Sequence, residues 1–185
     1  MSPPPRDPYA MRRLMLLRHA KSDWSLPGQS DHERALASRG RKAAPLMGRY
    51  MAEHDMIPDH AIVSTAARTR ATWQLVSDMF PRSPPADFED RIYEASPREI
   101  LAAIARAPAS AQTLLVVGHN PGFHETANLL VGSGDRRMRE CLSEKFPTAA
   151  LAVIDLDIDD WRAIGRGSGR LERFVTPRAI DRTSD

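Results

Sequence analysis

The chain has 185 residues, of which 42% are hydrophobic and 27% are charged, so it is long enough to bury a sizeable core as one soluble globular domain. Its 26 Lys and Arg against 24 Asp and Glu give a net charge of +2, with no block of like charges that would indicate a nucleic-acid footprint. No apolar run approaches the ~20 residues that span a bilayer, and the single cysteine, Cys141, excludes an internal disulfide framework and fits a reducing cytoplasm.

Residues 1–11 are predicted to form a disordered leader, because their Pro-rich sequence MSPPPRDPYAM buries little surface. They lack the apolar region and cleavage site of a signal peptide. We therefore expect residues 12–181 to form one domain in the cytoplasm. A first strand is predicted at about 13–17, inside the segment LMLLRHAKSDW, which turns abruptly from apolar to charged. Arg18 and His19 stand side by side at the end of this strand.

Helices and strands alternate in the next part of the chain. Ser38 is a candidate N-cap for a helix, in which Pro45 indicates a kink or a later start. A second strand is predicted at about 60–64 and leads into a helix at about 67–80. The Pro-rich segment FPRSPPADF, residues 80–88, is predicted to be a wide loop.

The following helix has a clear start, because Ser96 is a candidate N-cap, Pro97 stands at the first helical position and Glu99 at the third. A short helix that closes at a glycine is predicted within FHETANLLVGSGD. The remaining strands are predicted at about 113–117, 149–156, 161–165 and 170–175. The sequence GRGSGR between the last two does not open a helix, so it is predicted to be a hairpin turn.

Strands that alternate with helices predict a layered α/β fold with a mainly parallel central sheet. In such sheets ligands bind beyond the carboxyl ends of the strands. The first and third strands both end in a histidine, His19 and His119, and the second ends at Ser64 with Arg68 four residues later. Two histidines and two arginines with few acids nearby predict an anion pocket, and a phosphoryl group suits it.

The chemistry of such a pocket suggests covalent catalysis. A neutral imidazole can attack phosphorus and form a phosphohistidine that water then cleaves. This requires a histidine that is held rigidly, with its other nitrogen hydrogen-bonded so that its tautomer is fixed. His19 suits that role because the apolar strand anchors it, and Arg18, Arg68 and His119 are then expected to bind the phosphoryl oxygens.

Three ordered segments, LRHAKSDW, IVSTAARTRAT and LLVVGHNPG, resemble the histidine phosphatase superfamily and, within it, the small SixA-type phosphohistidine phosphatases. The resemblance runs from about residue 13 to 180. It implies a three-layer α/β/α sandwich of the phosphoglycerate mutase-like type. It also implies that Arg18-His19 is the Arg-His motif whose His is phosphorylated and that Arg68 is the second phosphate-binding arginine. It further implies that Gly118-His119-Asn120 is the segment with the second histidine, so that His119 is expected to be catalytic and both His119 and Asn120 are expected to bind phosphate.

The proton donor is left open by the resemblance. Mutase-like members use a Glu between the second and third strands, and Glu94 in RIYEAS is the candidate here. Asp23, close behind His19, is a second candidate. The nitrogen of a phosphohistidine leaving group is readily protonated, so a strong carboxylic acid is not required. Ala20 stands where the family usually has glycine, and SixA-like members commonly tolerate this change.

The resemblance implies a metal-independent phosphatase without a cofactor, acting on phosphohistidine in a protein such as the phosphotransfer domain of a signalling relay. Neither nucleic acid nor a membrane is expected as a partner. Two alternatives stay open, namely a phosphomonoesterase for a small metabolite and a non-catalytic phosphate-binding module. A zinc site is not expected, because there is no His-Glu-x-x-His pattern and no cysteine pair. His32, His54 and His60 are predicted to lie at the surface.

Overall fold

Seven strands form one sheet in the computed structural model, which describes residues 11–182. The strands are β1 (Met11–Arg18), β2 (His60–Ser64), β3 (Ala86–Glu89), β4 (Thr113–Gly118), β5 (Val131–Gly134), β6 (Leu151–Asp157) and β7 (Gly169–Val175). The helices are α1 (Ser38–Glu53), α2 (Ala67–Ser77), α3 (Pro97–Ile104), α4 (Gly122–Leu130), α5 (Arg136–Glu144) and α6 (Pro177–Asp181). The predicted leader lies outside the described residues except for Met11, which begins β1.

The strand order across the sheet is β3-β2-β4-β1-β6-β7-β5. The pairs β1–β4, β2–β4, β2–β3 and β5–β7 are parallel, whereas β6 runs antiparallel to both β1 and β7. The prediction of a mainly parallel central sheet is therefore confirmed. Because β1, β2 and β4 are parallel, their carboxyl ends meet at one edge of the sheet.

Two hydrophobic cores, one on each face of the sheet, explain the unbroken apolar run of β1. Leu14 and Leu16 pack with residues of α3, α4 and α5, and Met15 and Leu17 pack with residues of α1 and α2. All four side chains are completely buried. Successive side chains of a strand point to opposite faces, so a strand covered on both faces has no polar positions. The three-layer α/β/α arrangement is thus confirmed.

Two helix starts were predicted from the sequence, and only one has the predicted cap. α3 has a full capping box, in which the Ser96 hydroxyl accepts from the Glu99 N–H and the Glu99 carboxylate accepts from the Ser96 N–H. α1 begins at Ser38 itself, after Ala37 as its N-cap residue. It continues through Pro45 without ending, because the buried face that carries Met47 and other core residues outweighs the cost of one proline.

Three segments differ from the prediction. Residues 86–89 form the edge strand β3 within the expected loop, because the prolines of that segment all precede it. The helix predicted within FHETANLLVGSGD is α4, which ends at Leu130. The glycines that follow it belong to the strand β5, which pairs with β7. Residues 161–163 form one 3-10 turn rather than a strand, since Trp161 is buried and its indole N–H donates to Ala111 at 3.0 Å. No helix among residues 11–182 is long and apolar enough to cross a membrane.

The predicted surface histidines occupy three different environments. His54 is exposed and stacks on Tyr50, and His32 is partly buried. The prediction is wrong for His60, which is buried at the start of β2 with its Nε2 2.8 Å from the Asp87 carboxylate. A carboxylate on the neighbouring strand satisfies the imidazole there, so the histidine can be accommodated inside.

The first turn of α1 packs tightly on the segment that follows β1. The N–H of Ala37 donates to the carbonyl oxygen of Lys21 at 2.9 Å. A side chain at Gly40 would overlap the same carbonyl oxygen, so this close approach requires glycine. The start of α1 is thereby fixed beside the carboxyl end of β1.

Candidate active site

Side chains from the ends of three strands meet at the carboxyl edge of the sheet. His19 follows β1, Arg68 lies in the first turn of α2 after β2, and His119 follows β4. The ring centroids of His19 and His119 are 5.3 Å apart, and Arg68 Nη2 lies 3.3 Å from His119 Nδ1. The structure therefore brings together the residues that the sequence predicted at this edge, while their roles stay predictions.

His19 is held by a hydrogen bond that fixes its tautomer. Its Nδ1 lies 2.7 Å from the carbonyl oxygen of Ala20. A carbonyl oxygen can only accept, so Nδ1 carries the proton and Nε2 keeps its lone pair. The backbone around the ring is also fixed, because the His19 N–H donates to Gly118 at 3.0 Å and the Ala20 N–H donates to the Thr72 hydroxyl at 3.0 Å. His19 is 7% exposed.

The surroundings of His19 keep its ring neutral. Burial is the main cause that lowers its pKa from 6.5 to about 3, and the charges of Arg68, Arg18 and Arg34 lower it further against the opposing effect of the Ala20 hydrogen bond. At pH 7 the imidazole is therefore uncharged and its free Nε2 is able to act as a nucleophile.

His119 is also neutral, but in the other tautomer. A guanidinium group can only donate, so the contact with Arg68 makes His119 Nδ1 an acceptor. The proton is then on Nε2, which donates to the Ser64 hydroxyl at 2.7 Å. Burial, followed by the effects of His19 and Arg68, lowers the pKa of His119 to about 3. Its 4% exposed ring is thus fixed at both nitrogens.

Asp31 links the cationic groups of the site and was not singled out from the sequence. Its carboxylate accepts hydrogen bonds from Arg68 at 2.9 Å, from Arg34 at 2.5 Å and from the Tyr93 hydroxyl at 2.7 Å. Its backbone oxygen also accepts from Arg68 at 2.6 Å. Burial alone would raise the pKa of Asp31, but the hydrogen bonds from Tyr93 and Arg68 and the arginine charges lower it to about 2. The carboxylate is therefore ionised and orients both arginines.

Arg34 is the main candidate that sequence reasoning missed. It is 7% exposed, and its guanidinium carbon lies 3.3 Å from the ring centroid of the exposed Trp24. Its Nε and Nη1 are buried without a hydrogen-bond partner among residues 11–182. The sequence carries only a weak signal for this residue, since DHER has no regular spacing and no strand end to mark it.

Arg18 and Asn120 share one hydrogen-bond acceptor. Arg18 Nη1 and Asn120 Nδ2 both donate to the carbonyl oxygen of Phe146, at 2.9 and 3.0 Å. The remaining polar atoms Arg18 Nε and Asn120 Oδ1 are buried and have no partner in the part of the chain that the structure describes. Burial and then the charge of Arg68 lower the pKa of Arg18, which reflects the crowding of cations here.

The two candidate proton donors lie at the margin of this cluster. Glu94 is exposed, and it follows Tyr93, whose ring is 5.4 Å from that of His119 in an edge-on contact. The Asp23 carboxylate instead accepts from the Ser25 N–H at 2.8 Å, and this hydrogen bond lowers the pKa of Asp23. Asp23 is thus engaged as an ionised acceptor in a local turn. The proton-donor role of Glu94 stays a prediction.

Taken together, these groups form a site suited to an oxyanion. Three guanidinium groups surround two neutral imidazoles, and buried nitrogens of Arg18, Arg34 and Arg68 lack partners among the described residues. A buried N–H without an acceptor is costly, so a bound phosphoryl group would stabilise this arrangement. The Nε2 of His19 keeps its lone pair in the same cluster, so it is chemically able to act as a nucleophile.

Comparisons with known proteins agree with this geometry. The family model of the histidine phosphatase superfamily (branch 1) matches residues 14–99. An uncharacterized protein of Mycobacterium tuberculosis is 35% identical over 164 residues, which cover 88% of this chain and 100% of that protein. The sequence similarity to this relative thus extends well beyond residues 14–99, which the family model matches.

Two solved structures are similar over nearly their whole length, and both carry the provisional name phosphohistidine phosphatase SixA. The structure from Nakamurella multipartitia has a TM-score of 0.80 at 30% identity and covers 92% of this chain and 99% of its own. The structure from Agrobacterium tumefaciens has a TM-score of 0.76 at 32% identity, with 90% and 98% covered.

We expect His19 to remain uncharged down to about pH 4 in the folded protein. In ¹H–¹⁵N spectra recorded between pH 8 and 5, assigned by comparison with His19→Gln, the ring should show protonated Nδ1 and unprotonated Nε2 throughout. An imidazolium signal from His19 at pH 6 would contradict the account.

The same shift affects stability. Since the pKa of His19 is depressed in the folded state, the unfolded state binds more protons between about pH 6.5 and 3, so this group makes the free energy of unfolding fall as the pH falls.

Replacement of Arg34 by alanine should weaken the binding of inorganic phosphate about 10- to 100-fold, because a hydrogen bond to a charged group contributes about 1.5–3 kcal/mol. Isothermal titration calorimetry measures the affinity, and circular dichroism checks that the variant is folded. The matched control is Arg70→Ala, which removes an exposed arginine of α2. Equal phosphate affinity in the wild type and the Arg34 variant would remove Arg34 from the site.

Proposed function

Because this chain belongs to the histidine phosphatase superfamily and is SixA-like within it, we propose that it removes phosphate from phosphohistidine in a protein through a phosphohistidine intermediate on His19. The family membership supports a phosphatase, and so a hydrolase. Beyond this, we propose the phosphohistidine intermediate, the substrate and the roles of the individual residues.

The observation that carries this proposal is the tautomer of His19. The hydrogen bond from Nδ1 to Ala20 leaves the lone pair on Nε2, and burial keeps the ring neutral at physiological pH. In the first step, Nε2 attacks the phosphorus atom, and the bond between phosphorus and the leaving nitrogen of the substrate breaks. In the second step, water attacks the phosphorus of the phosphoenzyme. Inorganic phosphate is then released and Nε2 regains its lone pair.

The arginines support both steps through charge. Arg18, Arg34 and Arg68 approach the site from different segments, and each has at least one buried nitrogen without a partner in the described part of the chain. We assign these groups to the phosphoryl oxygens, where they stabilise the charge that spreads in the transition state. His119 and Asn120 complete the phosphate-binding set, and the bonds to Ser64 and Phe146 orient them.

A nitrogen leaving group fits the position of the acids. The Asp31 and Asp23 carboxylates are both engaged by hydrogen-bond donors, and Glu94 lies exposed at the rim. A leaving imidazole accepts a proton from water readily, whereas a leaving alkoxide needs a stronger acid. Phosphohistidine is therefore the substrate that requires no strong acid from this site to protonate its leaving group. We place the reaction in the cytoplasm, with a phosphorylated protein as the partner and without metal or cofactor.

One observation favours a second candidate, a phosphomonoesterase for a small metabolite. Glu94 directly follows Tyr93, which contacts the ring of His119, so we assign Glu94 as the acid for a leaving alkoxide in this second candidate. In this case Glu94→Gln should lower kcat strongly.

A substrate panel distinguishes these candidates. We expect kcat/KM for a phosphohistidine-containing protein to exceed that for a panel of sugar phosphates and p-nitrophenyl phosphate by at least 10-fold. His19→Ala should abolish turnover of every substrate while it retains the fold. A preference for a sugar phosphate would contradict the substrate assignment but not the mechanism. Phosphate binding without any turnover by the wild type would leave only the binding-module alternative.

A further inference from the structure

A groove lined by cations lies beside the candidate active site, between α1 and α6. It consists of two adjoining cavities of about 440 and 340 Å³, which share Arg39, Ala43, Pro177 and Arg178 in their walls. Six basic side chains line this cationic groove, namely Lys21, Arg39, Lys42, Arg49, Lys145 and Arg178. Asp181 is the one carboxylate among the lining residues of these two cavities.

The length of the groove follows from α1. Arg39, Lys42, Leu46 and Arg49 stand at positions i, i+3, i+7 and i+10, so they form one stripe along the helix. Ten residues of helix rise by about 15 Å. Leu46 and its neighbour Ala43 provide an apolar floor between the cations. The groove is thus an elongated track rather than a point-like pocket.

One end of the cationic groove is lined by two residues, Lys21 and Lys145, that adjoin residues of the candidate active site in the sequence. Lys21 is two residues beyond His19, and its carbonyl oxygen packs against Gly40 in the first turn of α1. Lys145 immediately precedes Phe146, whose carbonyl oxygen holds Arg18 and Asn120. The backbone therefore couples the position of the groove to that of the phosphate-binding groups.

The cations of the groove are exposed and are not neutralised within the described chain. None of the six side chains forms an ion pair with a carboxylate among residues 11–182, whereas exposed arginines elsewhere do, such as Arg136 with Glu140 and Arg162 with Asp160. Clustered, unneutralised cations produce a positive potential that attracts an anionic partner and increases its rate of association.

We propose that the cationic groove docks an extended acidic segment of the phosphoprotein substrate, an inference that rests on the proposed function for the identity of the partner. A track of about 15 Å accommodates about five residues of extended chain at ~3.3 Å each. A single phosphate or a small metabolite would occupy only part of it. Single-stranded nucleic acid is a poorer match, because no aromatic side chain lines these two cavities to stack on bases.

Equilibrium binding of an unphosphorylated peptide tests this proposal without any turnover. The probe is a fluorescein-labelled decapeptide in which Glu alternates with Ser and one central Leu, and the comparison peptide has Gln in place of each Glu. The groove variant is the full chain with the three substitutions Arg39→Glu, Lys42→Glu and Arg49→Glu. A matched control carries Arg82→Glu, Arg137→Glu and Arg166→Glu, which change the net charge equally at exposed positions outside the groove.

We expect the acidic peptide to bind at least 10-fold more tightly than the Gln peptide, and its affinity should fall with added salt. The groove variant should lose at least 10-fold in affinity and the control less than 3-fold. Both should hydrolyse p-nitrophenyl phosphate at the rate of the wild type. With a phosphohistidine substrate that has acidic flanking residues, the groove variant should have a higher KM than the wild type and the same kcat.

Equal affinity for the two peptides, or equal losses in the groove and control variants, would overturn the proposal. Tighter binding of an RNA oligonucleotide or of phosphatidylserine vesicles, lost in the groove variant alone, would also overturn it in favour of that partner. Failure of the proposed function looks different. In that case the acidic peptide still binds in the groove, but the wild type shows no preference for phosphohistidine.

Discussion

A single hydrogen bond, from Nδ1–H of His19 to the carbonyl oxygen of Ala20, determines which nitrogen of this imidazole is free to react. Its partner belongs to the next residue, so the bond exists only if the backbone after β1 is held in one conformation. Two neighbours hold it, since Gly118 accepts from the His19 N–H and Thr72 accepts from the Ala20 N–H. The central position of β1 in the sheet, with a core on each face, packs that strand between two layers of buried side chains.

The second constraint is electrostatic. Charged imidazoles would add to the repulsion among the three arginines. Burial lowers the pKa of both histidines, so they stay neutral and add no positive charge. Asp31 compensates part of the remaining positive charge and orients Arg34 and Arg68. The buried nitrogens that stay without partners among the described residues are the groups that we assign to a bound anion. The same excess of cations continues along the groove beside α1, where none of the six basic side chains forms an ion pair with a carboxylate among residues 11–182.

Local signals in the sequence predicted the parts of the fold that depend on local physics. The apolar run Leu14–Leu17 predicted a buried strand, which the structure covers on both faces, and Ser96 with Glu99 predicted the start of α3. The polar residues that follow β1 and β4 predicted the edge at which they meet. Conversely, β3 and the turn at Trp161 depend on long-range contacts, a partner strand in one case and a distant carbonyl in the other.

The missed residues of the site have the same explanation. Arg34 becomes a candidate only when Asp31 and Trp24 fix its guanidinium group beside His19, and no spacing in DHER indicates this. The cations of the groove come from four separate segments, so the even distribution of charge along the chain conceals their clustering in space.

The central claim is that Nε2 of His19 accepts the phosphoryl group, and the position of that group on the ring tests it most directly. Rapid quenching of the protein during turnover, followed by mass spectrometry and ³¹P NMR of the trapped phosphoprotein, gives both the residue and the nitrogen. The account predicts an acid-labile phosphate on Nε2 of His19. Phosphate on Nδ1, phosphate on another residue, or turnover without any phosphoprotein in the presence of an unchanged His19 would contradict it.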